Sequence, residues 1–229
     1  MGNIPIITID GPSGAGKGTI SKMLCNDLKW NILDSGALYR TLAFFLSDRK
    51  IDLKAFDSDK ENIRKEFKVK FQLGEIGEPV RVFFKGEDIT NKIRTEEIGR
   101  KSSIIASSLS IREFIRPCQK EYLKHPGLVA DGRDMGTVIF PNADLKIFLT
   151  ASIEERAKRR QSQLKSQGTK VNMRILLDEL ERRDRNDMER DHSPLEEAED
   201  SIHIDTSNLN PGEVVKVIKK LPIKFFKNY

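Results

Sequence analysis

The sequence predicts an α/β fold, with a parallel sheet covered by helices on both faces. Three observations on the 229-residue chain carry this. Short, β-rich apolar runs recur at 4–9, 30–33, 128–130, 145–149 and 201–204. Most are separated by stretches with apolar residues at helical spacing, an alternation that lays strands parallel with helices across their faces. The first run also passes through a glycine turn straight into a helix. Ligands in such sheets sit beyond the carboxyl ends of the strands. Here those ends are polar, at Asp10-Gly11, Asp34-Ser35-Gly36 and Asp131-Gly132-Arg133-Asp134.

The elements follow in order. After the first strand, Gly11, Gly14 and Gly16 let backbone N–H groups approach an anion at a helix N-terminus, and Lys17 adds a point charge. Gly11-x-x-x-x-Gly16-Lys17 fits the Walker A spacing, except that Gly18 stands where a hydroxyl residue usually follows the lysine and Thr19 comes one later. The helix then turns Ile20, Met23, Leu24 and Leu28 toward the sheet. Past the second strand, Asp34 and Ser35 offer capping side chains, and Leu38, Leu42 and Phe45 form the inner face of a helix that carries Arg40 early. A charged, mobile-looking stretch, 48–68, contains a helix near 60–67. Period-two alternation at 67–73 and 80–84, across a Gly/Pro turn, predicts an antiparallel hairpin foreign to the parallel sheet, hence an insertion. A short third strand and a helix fit before Arg100. The helical tract 110–124 contains Pro117, which predicts a kink or break near Arg116. Helices are expected at 151–167, at 172–190 with Met173, Leu176, Leu177 and Leu180 buried, and at 213–221 packed by Val214, Val215, Val217 and Ile218.

Composition narrows the functional classes. No apolar run approaches the ~20 residues that span a bilayer, and the first strand begins almost at once, leaving no room for a secretion signal. A cytoplasmic protein without membrane association is expected. Cys25 and Cys118 lack metal spacing and read as buried free thiols; Trp30 reads as core, and His125, His192 and His203 as structural or surface residues. The net charge of +5 suggests polyanionic partners, but the arginines lie beside acids in separated segments with no aromatic-interleaved basic strip. Discrete phosphates fit better than a nucleic acid.

Two helical constellations stay open on pattern alone. Continuing the stripe Leu176, Leu180 by steps of three and four reaches Arg183, Asp187 and Arg190, which either line an anion-binding cavity or form a solvated face. Arg156, Arg159 and Arg160 equally suit a flap closing on phosphates or a solvated face, since Glu155 precedes Arg159 by four. The strand at 128–130 either delivers Asp131 to the ligand edge, as a Walker B acid would be delivered, or ends in a turn-forming Asp131-Gly132 pair.

Five segments in order together resemble the bacterial cytidylate kinases of the long type. They are 9–19, 33–40, Gly86-Glu87-Asp88 with Ile93-Arg94-Thr95, 131–141, and the run from Arg183 through Asp187 and Arg190 to Leu195. The Gly-Lys-Gly-Thr ending of the first is the form that nucleoside monophosphate kinases use. The resemblance implies a single P-loop kinase domain with a core at 1–35, 127–153 and 191–229. To this it adds a monophosphate-binding region at 36–126 with the hairpin near 67–85, a lid at 154–175, and a substrate-bearing helix at 176–190. It implies transfer of the ATP γ-phosphoryl group to CMP, with dCMP as a second acceptor, assisted by Mg²⁺ held by phosphates and water with Thr19 or Asp131 assisting, in a monomer.

Carried over by position, the ATP site comprises Gly11, Pro12, Ser13, Gly14, Ala15, Gly16, Lys17, Gly18 and Thr19, with Arg156 and Arg160. Ser35, Ser103, Arg112 and Asp134 read cytosine. Arg40, Arg133 and Arg190 meet the acceptor phosphate, and Arg183 and Asp187 the sugar and phosphate. Lys17, Arg133, Arg156, Arg159 and Asp131 carry the transfer itself. The alternatives are a same-fold kinase for another monophosphate or small metabolite, and a nucleotide-gated RNA-binding module without catalysis.

Overall fold

A computed structural model describes residues 3–75, 78–166, 168, 172–223 and 226. Five strands form one parallel sheet: β1 (Ile6–Asp10), β2 (Asn31–Asp34), β6 (Leu128–Asp131), β7 (Leu145–Thr150) and β8 (Ile202–Asp205), in the order β2-β6-β1-β7-β8. Each expected run is a strand within two residues of its expected ends. The pleat divides the side chains between two cores. Ile7, Ile9, Ile32, Val129, Ile147 and Leu149 pack with α1 (Lys17–Leu28) and α9 (Pro211–Lys219). Leu33, Leu128 and Ala130 pack with α2 (Ser35–Asp48) and α6 (Leu109–Lys120) on the opposite face. The register sets Ile9 beside Asp131 and Asp131 beside Asp34, so the polar strand ends share one edge.

Between α2 and α6 the chain builds the expected insertion. It holds α3 (Phe56–Glu66), an antiparallel sheet of β3 (Val69–Gln72), β4 (Arg81–Phe84) and β5 (Glu87–Asp88), then α4 (Thr90–Ile93) and α5 (Glu96–Ile105). The charged stretch thought mobile is helical from Phe56, because Phe56 and Ile63 are buried and Phe56 meets Phe114 edge-on at 5.4 Å. Lys22 of α1 donates to the carbonyls of Glu75 and Glu78, the latter at 2.6 Å, and so ties the hairpin turn to the core. Ile76 and Gly77 of that turn lie outside the described residues.

Three expectations need correction. Helix α6 runs through Pro117 without a break and stops at Lys120, short of the expected 124. The ring costs the Glu113 carbonyl its partner, but Glu113 and Pro117 are both on the exposed side, where water can replace the lost bond. In α9, Val217 is 42% exposed, since it falls off the Val214, Val215, Ile218 face. In α8 (Met173–Met188), Met173 and Leu177 are only half-buried, and Leu176 and Leu180 form the core line.

Helix α7 (Ile153–Ser166) matches the expected 151–167 within the described residues; Gln167, Thr169, Lys170 and Val171, part of the expected lid, lie outside them. Cys25 is a buried free thiol and Cys118 a half-buried one, and Trp30 is buried just before β2. His203 is an exposed residue between Thr150 and Glu197. Among the described residues no helix is long and apolar enough to cross a membrane.

Candidate functional site

A cleft of 1510 Å³ runs along the carboxyl edge of the sheet, and its lining includes residues of both groups singled out from the sequence. At one end lies the loop between β1 and α1. Gly11 holds φ +143°, and a Cβ there would overlap the Leu149 carbonyl oxygen, so only glycine lets the loop leave the sheet this way. The loop's carbonyls are engaged from behind. Pro12 O accepts from Lys17 Nζ (2.9 Å), Ser13 O from Arg156 Nη1 (3.1 Å) and Ala15 O from Thr206 Oγ1 (3.1 Å). In a trans peptide the following N–H points opposite to its carbonyl, so the Gly14 and Gly16 N–H groups face away from Arg156 and Thr206. Helix α1 has no side-chain cap at Gly16, which leaves its first N–H groups to complete an anion cradle.

Lys17 and Asp131 sit at the floor of this end and are both buried. Burial, reinforced by Arg133, pushes the Lys17 ammonium below its ordinary range, while burial pushes the Asp131 carboxyl up against the pull of Lys17. A phosphate placed here would raise the Lys17 ammonium again. Asp10 plays a different part: its carboxylate accepts the N–H groups of Met135 (2.9 Å) and Gly136 (2.7 Å), which anchors the turn after β6. Burial raises its pKa to about 6 despite those bonds.

The donor set suits a hard divalent cation only in part. Asp131 Oδ2 would lie 3.4 Å from a Cβ at position 18, and Thr19 is exposed on the cleft. Among the described residues no group of three or more His, Cys, Asp or Glu could hold a metal. A cation here would take most of its oxygens from phosphates and water, with Asp131 reaching it from the protein side.

The other end is built from side chains. Asp34 caps α2 by accepting the Ala37 N–H (2.9 Å), which presents Ser35 at the helix start. Ser35 Oγ accepts from Gln119 Nε2 at 2.9 Å, both residues buried. Arg112 pairs with Asp134, their side chains 5% and 4% exposed, and also donates to Ala106 O (3.0 Å). Arg133 Nε donates to Asp187 (2.9 Å), and Arg190 approaches the same carboxylate at 3.6 Å. Burial alone would raise the Asp187 carboxyl; Arg133, Arg190 and Arg183 outweigh it and hold it below the ordinary range.

Positive charge is in excess here. Burial, then Arg183, Arg160 and Arg94, push Arg40 down to about 9, and Arg183 and Arg190 are lowered chiefly by burial. Arg190 Nη2 is buried with no partner among the described residues. Guanidiniums crowded together and largely buried, one with an unused donor, form a site that an anion would stabilise.

The structure brings most of the expected residues together. Arg183, Asp187 and Arg190 line the cleft, which decides for the cavity over the solvated face, and Ser35, Arg40, Ser103, Arg112, Arg133 and Asp134 join them. On α7, Arg159 and Arg160 line it as well. Arg159 keeps its Glu155 pair (3.1 Å) while donating to Thr206 O (2.6 Å), and Arg160 pairs with Glu96. Arg156 does not line the cleft. It falls on the buried side of α7, where its donors are taken by Ala151 O, Ser13 O and Asp184, so the expected three-arginine face is two arginines with a third behind the loop. Gly11 and Pro12 likewise lie behind the lining.

Several site residues were missed from the sequence. Gln119 is seven positions beyond Arg112 on α6, and Asp184 four beyond Leu180 on α8, both readable by helical spacing. Arg94 lines the cleft and pairs with Asp34 at 3.5 Å. Thr206, in the loop after β8, carried no sequence signal.

Comparisons with known proteins agree with this geometry. A family model described as cytidylate kinase matches residues 7–222. The chain is 46% identical over 215 residues to a cytidylate kinase of Pseudomonas entomophila strain L48, covering 94% of each. It is 47% identical to that of Stutzerimonas stutzeri strain A1501, covering 94% of this chain and 93% of the relative. Among solved structures, a gluconokinase from Sinorhizobium meliloti 1021 aligns over 93% of this chain and 87% of its own at 13% identity. Its TM-score of 0.44 is too low to argue from.

Proposed function

The chain belongs to the cytidylate kinase family, and on that premise we propose that it transfers the γ-phosphoryl group of ATP to CMP, giving ADP and CDP, with dCMP as a second acceptor. The observation that carries this reading is one continuous cleft whose ends differ in kind, a backbone cradle with Lys17 at one and paired ionic side chains at the other. ATP occupies the first, along residues 11–19, and CMP the second.

Cytosine offers an N4 amino donor beside the N3 and O2 acceptors. Asp134 takes the amino hydrogen with a lone pair that its bond to Arg112 leaves unused, Arg112 donates to the ring acceptors, and Ser35 and Ser103 complete the edge. Uracil reverses the pattern at positions 3 and 4, so it leaves buried groups unpaired at roughly 1–3 kcal/mol each. Arg40, Arg133 and Arg190 hold the acceptor phosphate, and Arg183 and Asp187 contact sugar and phosphate. The smaller demand of the deoxyribose leaves the base and phosphate contacts intact, which admits dCMP.

The attacking atom is an ionised phosphate oxygen, so no general base is needed and catalysis is positioning and charge neutralisation. Lys17 and Arg133 stabilise charge on the transferred group, Arg159 and Arg160 approach from α7, and Arg156 supports the loop from behind. Mg²⁺, held by phosphates and water with Asp131 or Thr19 assisting, would supply further neutralisation of the phosphate oxygens. The residues at 154–175 act as a lid that keeps water from accepting the phosphoryl group. The remaining parcels are the core at 1–35, 127–153 and 191–229 and the acceptor-binding region at 36–126, in a cytoplasmic monomer. A coupled assay of ADP release tests the reading: turnover with CMP and dCMP should far exceed that with UMP or AMP, and equal rates with all four would overturn the base assignment.

A further inference from the structure

Helix α8 carries two carboxylates with different outlooks. Asp187 lies with Arg183 on the cleft side, while Asp184 continues the line Leu176, Leu180 into the buried face. We propose that Asp184, although it stands on the acceptor helix, is a positioning residue for the ATP end, because it holds Arg156 against the carbonyl of Ser13 and so sets the phosphate loop.

The geometry is specific. Arg156 Nη1 lies 2.5 Å from Asp184 Oδ2 and 3.1 Å from Ser13 O, and its Nε lies 3.0 Å from Ala151 O. One guanidinium thereby joins the loop, the start of α7 and α8. Both residues are buried, and Asp184 Oδ1 has no partner among the described residues. A carboxylate taken out of water with one oxygen unused contributes little but its hold on the arginine.

The loop is shaped for this support. Gly14 has φ +82°, and a Cβ there would stand 3.0 Å from Arg156 Cβ, so the glycine admits the first turn of α7 directly behind the loop. Without Asp184, Arg156 is a buried cation held only by carbonyls. It is then drawn toward water, and the 13–14 peptide is free to rotate its N–H out of the cradle. The acceptor helix would thus be tied to both nucleotides, to CMP through Asp187 and to the ATP loop through Asp184.

This inference rests on the loop being the ATP end. Calorimetric titration of the whole protein with ATP alone and with CMP alone tests it, using Asp184→Ala and the isosteric Asp184→Asn, which keeps an acceptor for Arg156. Asp184→Ala should weaken ATP on the order of tenfold, the scale of a small displacement remote from the chemistry, and leave CMP within about twofold. Asp184→Asn should recover most of the ATP affinity. An unchanged ATP affinity in Asp184→Ala, or the same loss for ATP and CMP in both variants, would overturn the proposal. Should the ATP effect appear in a protein that forms no ADP with CMP, the proposal stands and the acceptor assignment alone fails.

Discussion

The two ends of the cleft are made of different material. The end proposed for ATP is mostly peptide, its N–H groups oriented by Arg156 and Thr206 behind the loop, and Lys17 is its chief side chain. The end proposed for CMP is mostly side chain, gathered from α2, α5, α6, α8 and the turn after β6, and held in pairs such as Arg112 with Asp134 and Arg133 with Asp187. A backbone cradle reads phosphate, which every nucleoside triphosphate carries. A set of paired side chains can read a base, because each polar group left unmatched by the wrong base carries a desolvation cost.

This contrast makes mutations at the two ends separable. Lys17→Ala strikes the one charge the cradle supplies, and should lower kcat on the order of 10³-fold with thermal unfolding unchanged; a near-normal rate would erase the distinction between the ends. Asp187→Ala leaves Arg133 buried beside Arg183 and Arg190, and should raise KM for CMP on the order of 10²-fold while sparing ATP. Equal loss for both substrates in steady-state kinetics would mean that the pair serves the fold. Gly11→Ala attacks the backbone itself: overlap with the Leu149 carbonyl and the positive φ should cost about 3 kcal/mol in denaturant unfolding, with ATP binding lost before CMP binding. Arg159→Ala should slow single-turnover transfer about tenfold, and an unchanged rate would return that side chain to its pairings with Glu155 and Thr206.

The smallest effect is in proton uptake. The free Lys17 ammonium lies below its ordinary 10.5, chiefly through burial, and a bound triphosphate would raise it. In the alkaline window between the free and bound values, binding ATP takes up a proton, so affinity falls as pH rises through that window. Calorimetry in buffers of different ionisation enthalpy measures the uptake, which should vanish in Lys17→Ala.

What was legible in the sequence follows the same division. The loop at 11–19 is contiguous, so its spacing shows both the cradle and the place of Lys17. The strands were legible because burial on both faces demands unbroken apolar runs, as in Val129 and Ala130. The acceptor end was readable where charges interrupt an apolar stripe, at Arg183, Asp187 and Arg190, but the pattern could not say whether they faced water. Asp184 is not singled out by the pattern because steps of three and four from Leu180 lead to either 183 or 184, and only packing against α7 shows that both are used. Arg156 was placed on the wrong side for the same reason. Pro117 does not break its helix because the carbonyl that loses its partner faces solvent. Thr206 meets Ala15 only through the tertiary fold.

The central claim is that CMP lies end to end with ATP and is held by side chains of α8 and the turn after β6. A crystal structure with CMP bound tests it most directly. The account predicts the phosphate against Arg133 and Arg190, the sugar beside Asp187, and the base edge on Ser35, Arg112 and Asp134. A base lodged elsewhere, with Arg183, Asp187 and Arg190 turned to bulk solvent, would contradict it.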